Sequence, residues 1–139
     1  MEENILEIVE KSCRIHRDVI AVKYLSHREI VEKSYGDLWD DIRKTAIILR
    51  NKGLCGTHIA LVGSSSYEWI CAYMAILFTG NTAVPLDANL SAPELHELLN
   101  RSESTALFCG ASRKDVITEL KVDCPRMNVV FTMEKKVDI

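Results

Sequence analysis

The sequence contains no C-x-x-C pair, no basic run longer than two residues and no apolar run long enough to span a membrane. Its longest uninterrupted apolar block is the ten residues 69–78, whereas a transmembrane helix needs about 20 predominantly apolar residues. At 139 residues, with 47% hydrophobic and 27% charged residues and a net charge of -3, the chain has the composition of one soluble globular domain. We therefore predict a single domain over residues 1–139, with no transmembrane segment and no nucleic-acid-binding surface.

The cysteines are odd in number, and none has the spacing of a zinc or redox motif. Cys71 and Cys109 lie inside apolar runs, which is typical of buried free thiols in a reducing compartment. The full set is Cys13, Cys55, Cys71, Cys109 and Cys124. The N-terminal segment MEENILEIVEKS carries acidic residues where a secretory leader carries basic ones. These features predict a cytoplasmic protein.

No side-chain pattern identifies a catalytic or metal centre. The sequence has no G-x-S-x-G nucleophile elbow, and Asp40 and Asp41 straddle two faces of a predicted helix, which favours a solvated surface. Residues 63–66, Gly-Ser-Ser-Ser, follow a strand and precede a helix, where backbone N–H groups can hold a phosphate. They match no phosphate-loop pattern, so we interpret them as a turn and a helix cap. The histidines also lack metal-ligand spacing: they are His16, His27, His58 and His96.

Apolar spacing predicts a helix over residues 4–12, a β-hairpin over residues 18–33 and a second helix that begins at Ser34. The hairpin consists of two β-branched runs joined by a polar loop of about four residues. Ser34 and Asp37 have the spacing of a helix cap, and Gly53 provides the C-terminal stop.

From residue 57 onward, short apolar runs alternate with helical patterns. The predicted strands are residues 57–62, 82–84, 105–109 and 127–132, and residues 85–87 form a rigid turn after the second of them. Ser65 with Glu68, and Ser91 with Glu94, have capping-box spacing for the first two helices, and a third helix covers residues 116–120. The alternation predicts an α/β fold with a mostly parallel sheet, helices on both faces and an N-terminal β-hairpin. Residues 134–139 carry no helix cap, so we expect the sequence to be a fragment of a longer protein.

Three blocks in this order resemble the N-terminal signature of the adenylate-forming (AMP-binding) enzyme superfamily. The first is Ser-Tyr-Gly-Asp-Leu at residues 34–38, and the third is the helix and strand of residues 91–109. The second, residues 67–87, contains Tyr-Glu-Trp, a helix ending in Thr-Gly and the tetrapeptide Val-Pro-Leu-Asp. The resemblance extends from about residue 4 to about residue 132. It is strongest to bacterial long-chain fatty acyl-CoA synthetases.

The resemblance implies a partial subdomain of the family's large domain and a two-step reaction in the longer protein. A fatty acid would attack the α-phosphate of ATP with the help of Mg²⁺, and CoA would then accept the acyl group. The family's phosphate loop, adenine motif, ribose-binding Asp and catalytic Lys have no counterpart here. The resemblance therefore implies no catalytic residue, no metal ligand and no cofactor within this fragment, and no activity alone. An amino-acid or D-alanine adenylation enzyme, and a naturally short non-catalytic α/β interaction module, are the alternatives.

By the same resemblance, the CoA nucleotide would lie beside the end of the second parallel strand and the loop after the third. Asp87, Arg113 and Lys114 are the candidate residues there, with the basic groups facing the 3′-phosphate. The remainder of the longer protein is the expected partner. Without it, the chain would expose apolar surface and a sheet edge, which predicts self-association.

Overall fold

The computed structural model describes residues 4–133, and the expectation about the tail at residues 134–139 falls outside this range. The N-terminal elements are helix α1 (Ile5–Ile15), strands β1 (Ile20–Ser26) and β2 (Glu29–Ser34), and helix α2 (Tyr35–Asn51). β1 and β2 form the predicted antiparallel hairpin. Its loop has two residues rather than four, because His27 and Arg28 adopt positive φ angles of 50° and 68°. Such a turn follows the natural twist of the two strands.

The second part of the chain alternates strands and helices. The elements are β3 (His58–Val62), α3 (Tyr67–Phe78), β4 (Thr82–Leu86), α4 (Ala92–Arg101), β5 (Ala106–Gly110), a 3-10 turn (Ala111–Arg113), α5 (Lys114–Ile117), α6 (Leu120–Asp123) and β6 (Val129–Met133). The four strands pair in parallel in the order β4-β3-β5-β6. The predicted α/β fold with a parallel sheet is therefore confirmed.

Alternate residues of β3 face opposite helical layers. Ile59 and Leu61 pack with α1, α2 and α3, whereas Ala60 and Val62 pack with α4, α5 and α6. All four side chains have 0% exposure. Because the strand is buried on both faces, it is a continuous apolar run rather than an alternating one.

Side-chain caps begin α2, α3 and α4, and the cap of α3 differs from the prediction. Ser34 with Asp37 and Ser91 with Glu94 form full capping boxes. α3 instead begins after Ser66, whose hydroxyl accepts from the Trp69 backbone N–H at 3.1 Å. The predicted box of Ser65 and Glu68 is wrong, because the helix begins one residue later. Three positions after the actual cap, Ser66, stands a tryptophan, which has no carboxylate to complete a capping box.

Two further boundaries differ from the prediction. β4 continues through Pro85 and Leu86, which therefore lie in a strand rather than in a turn. Proline is tolerated there because β4 is an edge strand and Pro85 needs no partner on its outer side. The third predicted helix is split into two four-residue helices, α5 and α6. The helix is interrupted between them, where Glu119 adopts a left-handed conformation with φ 58°.

No helix among residues 4–133 is both long and apolar enough to cross a membrane. The apolar helix α3 has only 12 residues. It is buried between α2 and the sheet, which explains why its sequence is apolar on most sides.

A buried amide, Asn81, joins the start of the sheet to the end of α2. Its Oδ1 accepts from the backbone N–H and the hydroxyl of Thr57, both at 2.9 Å. Its Nδ2 donates to the Leu54 carbonyl at 3.1 Å and to the Thr79 hydroxyl at 2.9 Å. With all four hydrogen-bonding positions of the amide used, this side chain fixes the turn from α3 into β4 against the loop that enters β3.

Replacing Asn81 with alanine should lower the free energy of unfolding by about 3 kcal/mol, because it leaves buried polar groups of the two loops without partners. Urea unfolding followed by circular dichroism measures the change. Asn51→Ala, at the exposed end of α2, is the matched control and should alter stability by less than about 0.5 kcal/mol. Equal effects of the two substitutions would contradict the structural role of Asn81.

Candidate functional site at the carboxyl edge of the sheet

The strand order creates a switch point between β3 and β5. The connection that leaves β3 runs through α3 on one face of the sheet, whereas the connection that leaves β5 runs through α5 and α6 on the other face. The two adjacent strands therefore end in loops that diverge. In open parallel sheets, ligands bind in the crevice that such diverging loops leave at the carboxyl ends of the strands.

A polar crevice of about 270 Å³ lies at this switch point. Gly63 and Ser64–Ser66 form one wall, and Gly110, Ala111 and Ser112 form the other. A Cβ atom added to Gly63 would lie 2.8 Å from Met133 Cε, so glycine lets the end of β6 approach this loop. Ser66 is used as the helix cap. This placement agrees with the interpretation of residues 63–66 as a turn and cap.

Arg113 connects the loop after β5 to the loop after β4. Its Nη1 donates to the Ala88 carbonyl at 2.5 Å, and its Nη2 donates to the Leu90 carbonyl at 2.8 Å. Its Nε and Nη2 also donate to the carboxylate of Asp115, each at 3.0 Å. The hydrogen bonds from Arg113 lower the pKa of Asp115. Arg113 therefore uses two hydrogen bonds to hold the β4 loop in place and two to bind Asp115.

The structure brings the three predicted site residues to the same edge of the sheet. Asp87 directly follows β4 and is exposed, and its Oδ1 accepts from the Asn89 backbone N–H at 2.8 Å in a local turn. Arg113 is half-buried, with 17% of its side chain exposed, and Lys114 is exposed at the first position of α5. Of the two cations, Lys114 is the one that faces solvent. Contact of these residues with a CoA nucleotide stays a prediction.

Two titratable groups of α3, Tyr67 and Cys71, are buried. Tyr67 Oη donates to Asp41 Oδ2 at 2.5 Å, and burial together with this hydrogen bond raises the pKa of Tyr67. Burial raises the pKa of the Cys71 thiol to about 12, so that it is protonated at neutral pH. Among residues 4–133, no three His, Cys, Asp or Glu side chains are grouped closely enough to hold a metal ion. These contacts are structural and supply no nucleophile.

A wider groove of about 630 Å³ lies where α2 and α3 leave the face of β5 and β6 uncovered. We call this feature the β6 groove. Aromatic and aliphatic side chains line much of it, with charged groups at its rim: Tyr24, Tyr67, Phe108, Phe131, Met133 and Ile48, with Lys33, Asp41, Lys44 and Glu68. Sequence patterns did not indicate this groove, because it depends on how far the helical layer extends across the sheet.

Comparison with known proteins identifies one family across most of the chain. The sequence pattern that defines the AMP-binding enzymes matches residues 9–137. Among solved structures, a coronafacic acid ligase of Pectobacterium brasiliense is similar, with a TM-score of 0.85 and 25% sequence identity. The match covers 98% of this chain and 26% of that protein.

Three curated relatives show the range of proteins that this sequence resembles. A 3-(7a-methyl-1,5-dioxo-octahydro-1H-inden-4-yl)propanoyl:CoA ligase of Rhodococcus jostii is 31% identical over 60% of this chain and 17% of its own length. The hybrid polyketide–nonribosomal peptide synthetase apdA of Emericella nidulans is 32% identical over 64% of this chain and 2% of its own length. The long-chain-fatty-acid–CoA ligase FadD13 of Mycobacterium tuberculosis is 27% identical over 70% of this chain and 20% of its own length. The chain thus spans at most about a fifth of each.

Proposed function

Because the chain belongs to the AMP-binding enzyme family, we propose that it is the N-terminal part of an AMP-forming acyl-CoA synthetase. The complete protein would convert a fatty acid, ATP and CoA into acyl-CoA, AMP and pyrophosphate. The observation that carries this proposal is the match of nearly the whole chain to a quarter of an acid ligase of known structure. The ligase relatives among the sequence matches support the same reaction class.

The role proposed for this part of the enzyme is to build one sheet and three of its carboxyl-edge loops, those after β3, β4 and β5. The 139 residues contain no Ser/Thr/Gly-rich phosphate loop, and the described residues hold no metal-ligand cluster. We propose that the groups that bind ATP and Mg²⁺ lie in the rest of the longer protein. The fragment by itself would be inactive.

A fatty acid is the proposed substrate class because the sequence is similar to a long-chain-fatty-acid–CoA ligase. The similarity to a hybrid peptide synthetase favours amino-acid adenylation as the second candidate. In that case the activated acid would pass to the thiol of a carrier domain instead of CoA. The two candidates share the first half-reaction, so the acid and the thiol acceptor must both be tested.

The test compares the 139-residue chain with the complete product of its gene. Pyrophosphate release is measured with ATP, Mg²⁺ and a panel of fatty acids and amino acids, and thioester formation is measured with CoA. We expect no release above blank from the chain alone, and fatty-acid-dependent release followed by acyl-CoA formation from the complete protein. Pyrophosphate release by the short chain would contradict the fragment proposal. Release that depends on amino acids would favour the second candidate, and a reading frame that stops at residue 139 would favour an interaction module.

Within the proposed enzyme, we infer that Lys114 contacts the 3′-phosphate of CoA and that Arg113 shapes the neighbouring loop. Lys114 is exposed beside the loop that Asp87 begins, whereas the Arg113 guanidinium donates to the carbonyls of Ala88 and Leu90. Arg113 acts on the site through Ala88 and Leu90 rather than by direct contact. Asp87 would help to orient the loop through its turn with Asn89.

Charge reversal of Lys114 in the complete enzyme should raise the KM for CoA about fivefold to tenfold, because an exposed ion pair contributes about 1 kcal/mol. The kcat should stay near the wild-type value, since Lys114 does not touch the reacting atoms. Lys52→Glu, at the exposed end of α2, is the control and should leave both constants unchanged. An unchanged KM for CoA in Lys114→Glu would remove this residue from the nucleotide surface.

We also propose that the β6 groove is the face on which the remainder of the longer protein packs. In the chain alone, the same face and the open edge of β6 should pair with a second copy. Ile48, 48% exposed, lines the groove, whereas its neighbour Ile47, 51% exposed, does not. The two residues therefore form a matched pair for testing which surface is used.

Light scattering of the 139-residue chain at high concentration should report a dimer. Ile48→Glu should shift the equilibrium toward monomer, since a carboxylate would be buried in the interface. Ile47→Glu adds the same charge beside the groove and should leave the dimer intact. A monomeric wild-type chain would contradict self-association, and equal effects of the two variants would place the contact elsewhere.

A further inference from the structure

His96 lies on α4, and only 6% of its surface is exposed. Both ring nitrogens contact groups from other elements. Nδ1 lies 2.7 Å from Asp123 Oδ2 on α6, and Nε2 lies 2.6 Å from the Val116 carbonyl oxygen on α5. A single imidazole thus joins three helices on one face of the sheet.

Both contacts require a hydrogen atom on the ring. A carboxylate and a carbonyl are acceptors, whereas a neutral imidazole has one N–H and one lone pair. In either neutral tautomer, the lone pair would face an acceptor oxygen at less than 3 Å. Only the doubly protonated ring donates to Asp123 and to Val116 at the same time. Both hydrogen bonds are then charge-assisted.

We propose that His96 is held as an imidazolium cation and acts as a pH-sensitive clasp between α4 and the segment formed by α5 and α6. When the ring loses a proton, it can keep one hydrogen bond but not both. Its lone pair then repels the acceptor that has been left without a donor.

The segment depends on such contacts because its two helices have four residues each and no side-chain caps. Helices of this length are not stable without tertiary packing. Two weaker links accompany the clasp: Asn100 Nδ2 donates to the Asp123 carbonyl at 2.8 Å, and Cys124 Sγ donates to the His96 carbonyl at 3.4 Å. Neither of these two links requires a charge.

The other titratable groups around the ring are either neutral or paired with other residues. Burial, and secondarily Asp123, raises the pKa of Cys124, so its thiol stays protonated. On α6, Lys121 Nζ donates to the carbonyls of Pro125 and Met127. On α5, Asp115 is bound to Arg113.

The acidic residues of α4 itself are also in use. Glu94 belongs to the capping box with Ser91, and Glu97 pairs with Arg101. Among residues 4–133, the negative charge that pairs with the imidazolium is that of the Asp123 carboxylate.

Release of the clasp would also affect the loops at the carboxyl edge of the sheet. Arg113 directly precedes α5 and holds the β4 loop through the carbonyls of Ala88 and Leu90. Loosening α5 would therefore loosen the position of that guanidinium. The consequence follows from the fold alone and does not depend on the proposed reaction.

The protonation state can be read directly from ¹⁵N-resolved NMR spectra of the histidine rings at neutral pH. His96 should show two protonated ring nitrogens, the pattern of an imidazolium. His58, half-buried with its Nδ1 2.6 Å from the Ser102 carbonyl oxygen, is an internal control for a ring with one such contact. A neutral pattern for His96 would overturn the proposal.

Hydrogen exchange of the α5 and α6 amides tests the clasp itself. After correction for intrinsic rates, exchange should become about tenfold faster as rising pH removes a proton from the ring, because one charge-assisted hydrogen bond is lost. Asp123→Asn removes the carboxylate and lets the amide donate to a neutral ring, so it should abolish this pH dependence. Glu97→Gln, which removes an exposed carboxylate next to His96, should preserve it. The same pH dependence in Asp123→Asn as in the wild type would overturn the clasp, and the NMR measurement stands if that variant does not fold.

Discussion

Residues 59–62 of β3 are completely buried, and their alternate side chains face two different helical layers. A strand in this position needs parallel neighbours on both sides and a helical cover on both faces, because neither face can be left in water. The parallel neighbours in turn require crossover connections, and these place α3 on one face and α4 to α6 on the other. The divergence of loops at the carboxyl edge follows from the same requirement. The candidate site is thus a consequence of burying one short apolar strand.

Features that depend on residues close together in the chain could be predicted from the sequence. The capping boxes at Ser34 and Ser91 depend on residues three positions apart, and the alternation of apolar runs and helical patterns is enough to define the α/β class. The misplaced cap at Ser65 has an equally local cause. Three consecutive serines offer three possible caps, and only the packing of α3 against the sheet selects Ser66.

Features that depend on distant groups were missed. The contacts of Arg113 are to the carbonyls of Ala88 and Leu90, and every residue has a carbonyl, so no residue type marks the partner. The hydrogen-bond partners of Asn81 likewise include Leu54 and Thr57, which approach it only after β3 and β4 pair. The break at Glu119 has no glycine or proline to signal it. The acceptors around His96, a single carboxylate and a carbonyl, carry no recognisable spacing either.

A binding surface at a sheet edge also depends on residues that are far apart in the sequence. A helix or strand is complete in itself, but a crevice at a sheet edge is formed by loops from several strands, and further strands add further loops. The present chain contributes the loops after β3, β4 and β5, each tied down by internal hydrogen bonds of Ser66, Asp87 or Arg113. The partners in these hydrogen bonds all belong to residues 4–133. The β6 groove, in contrast, leaves apolar side chains of α2, β5 and β6 uncovered. A chain with an ordered edge and an uncovered face has the properties expected of a scaffold on which catalytic loops from elsewhere are assembled.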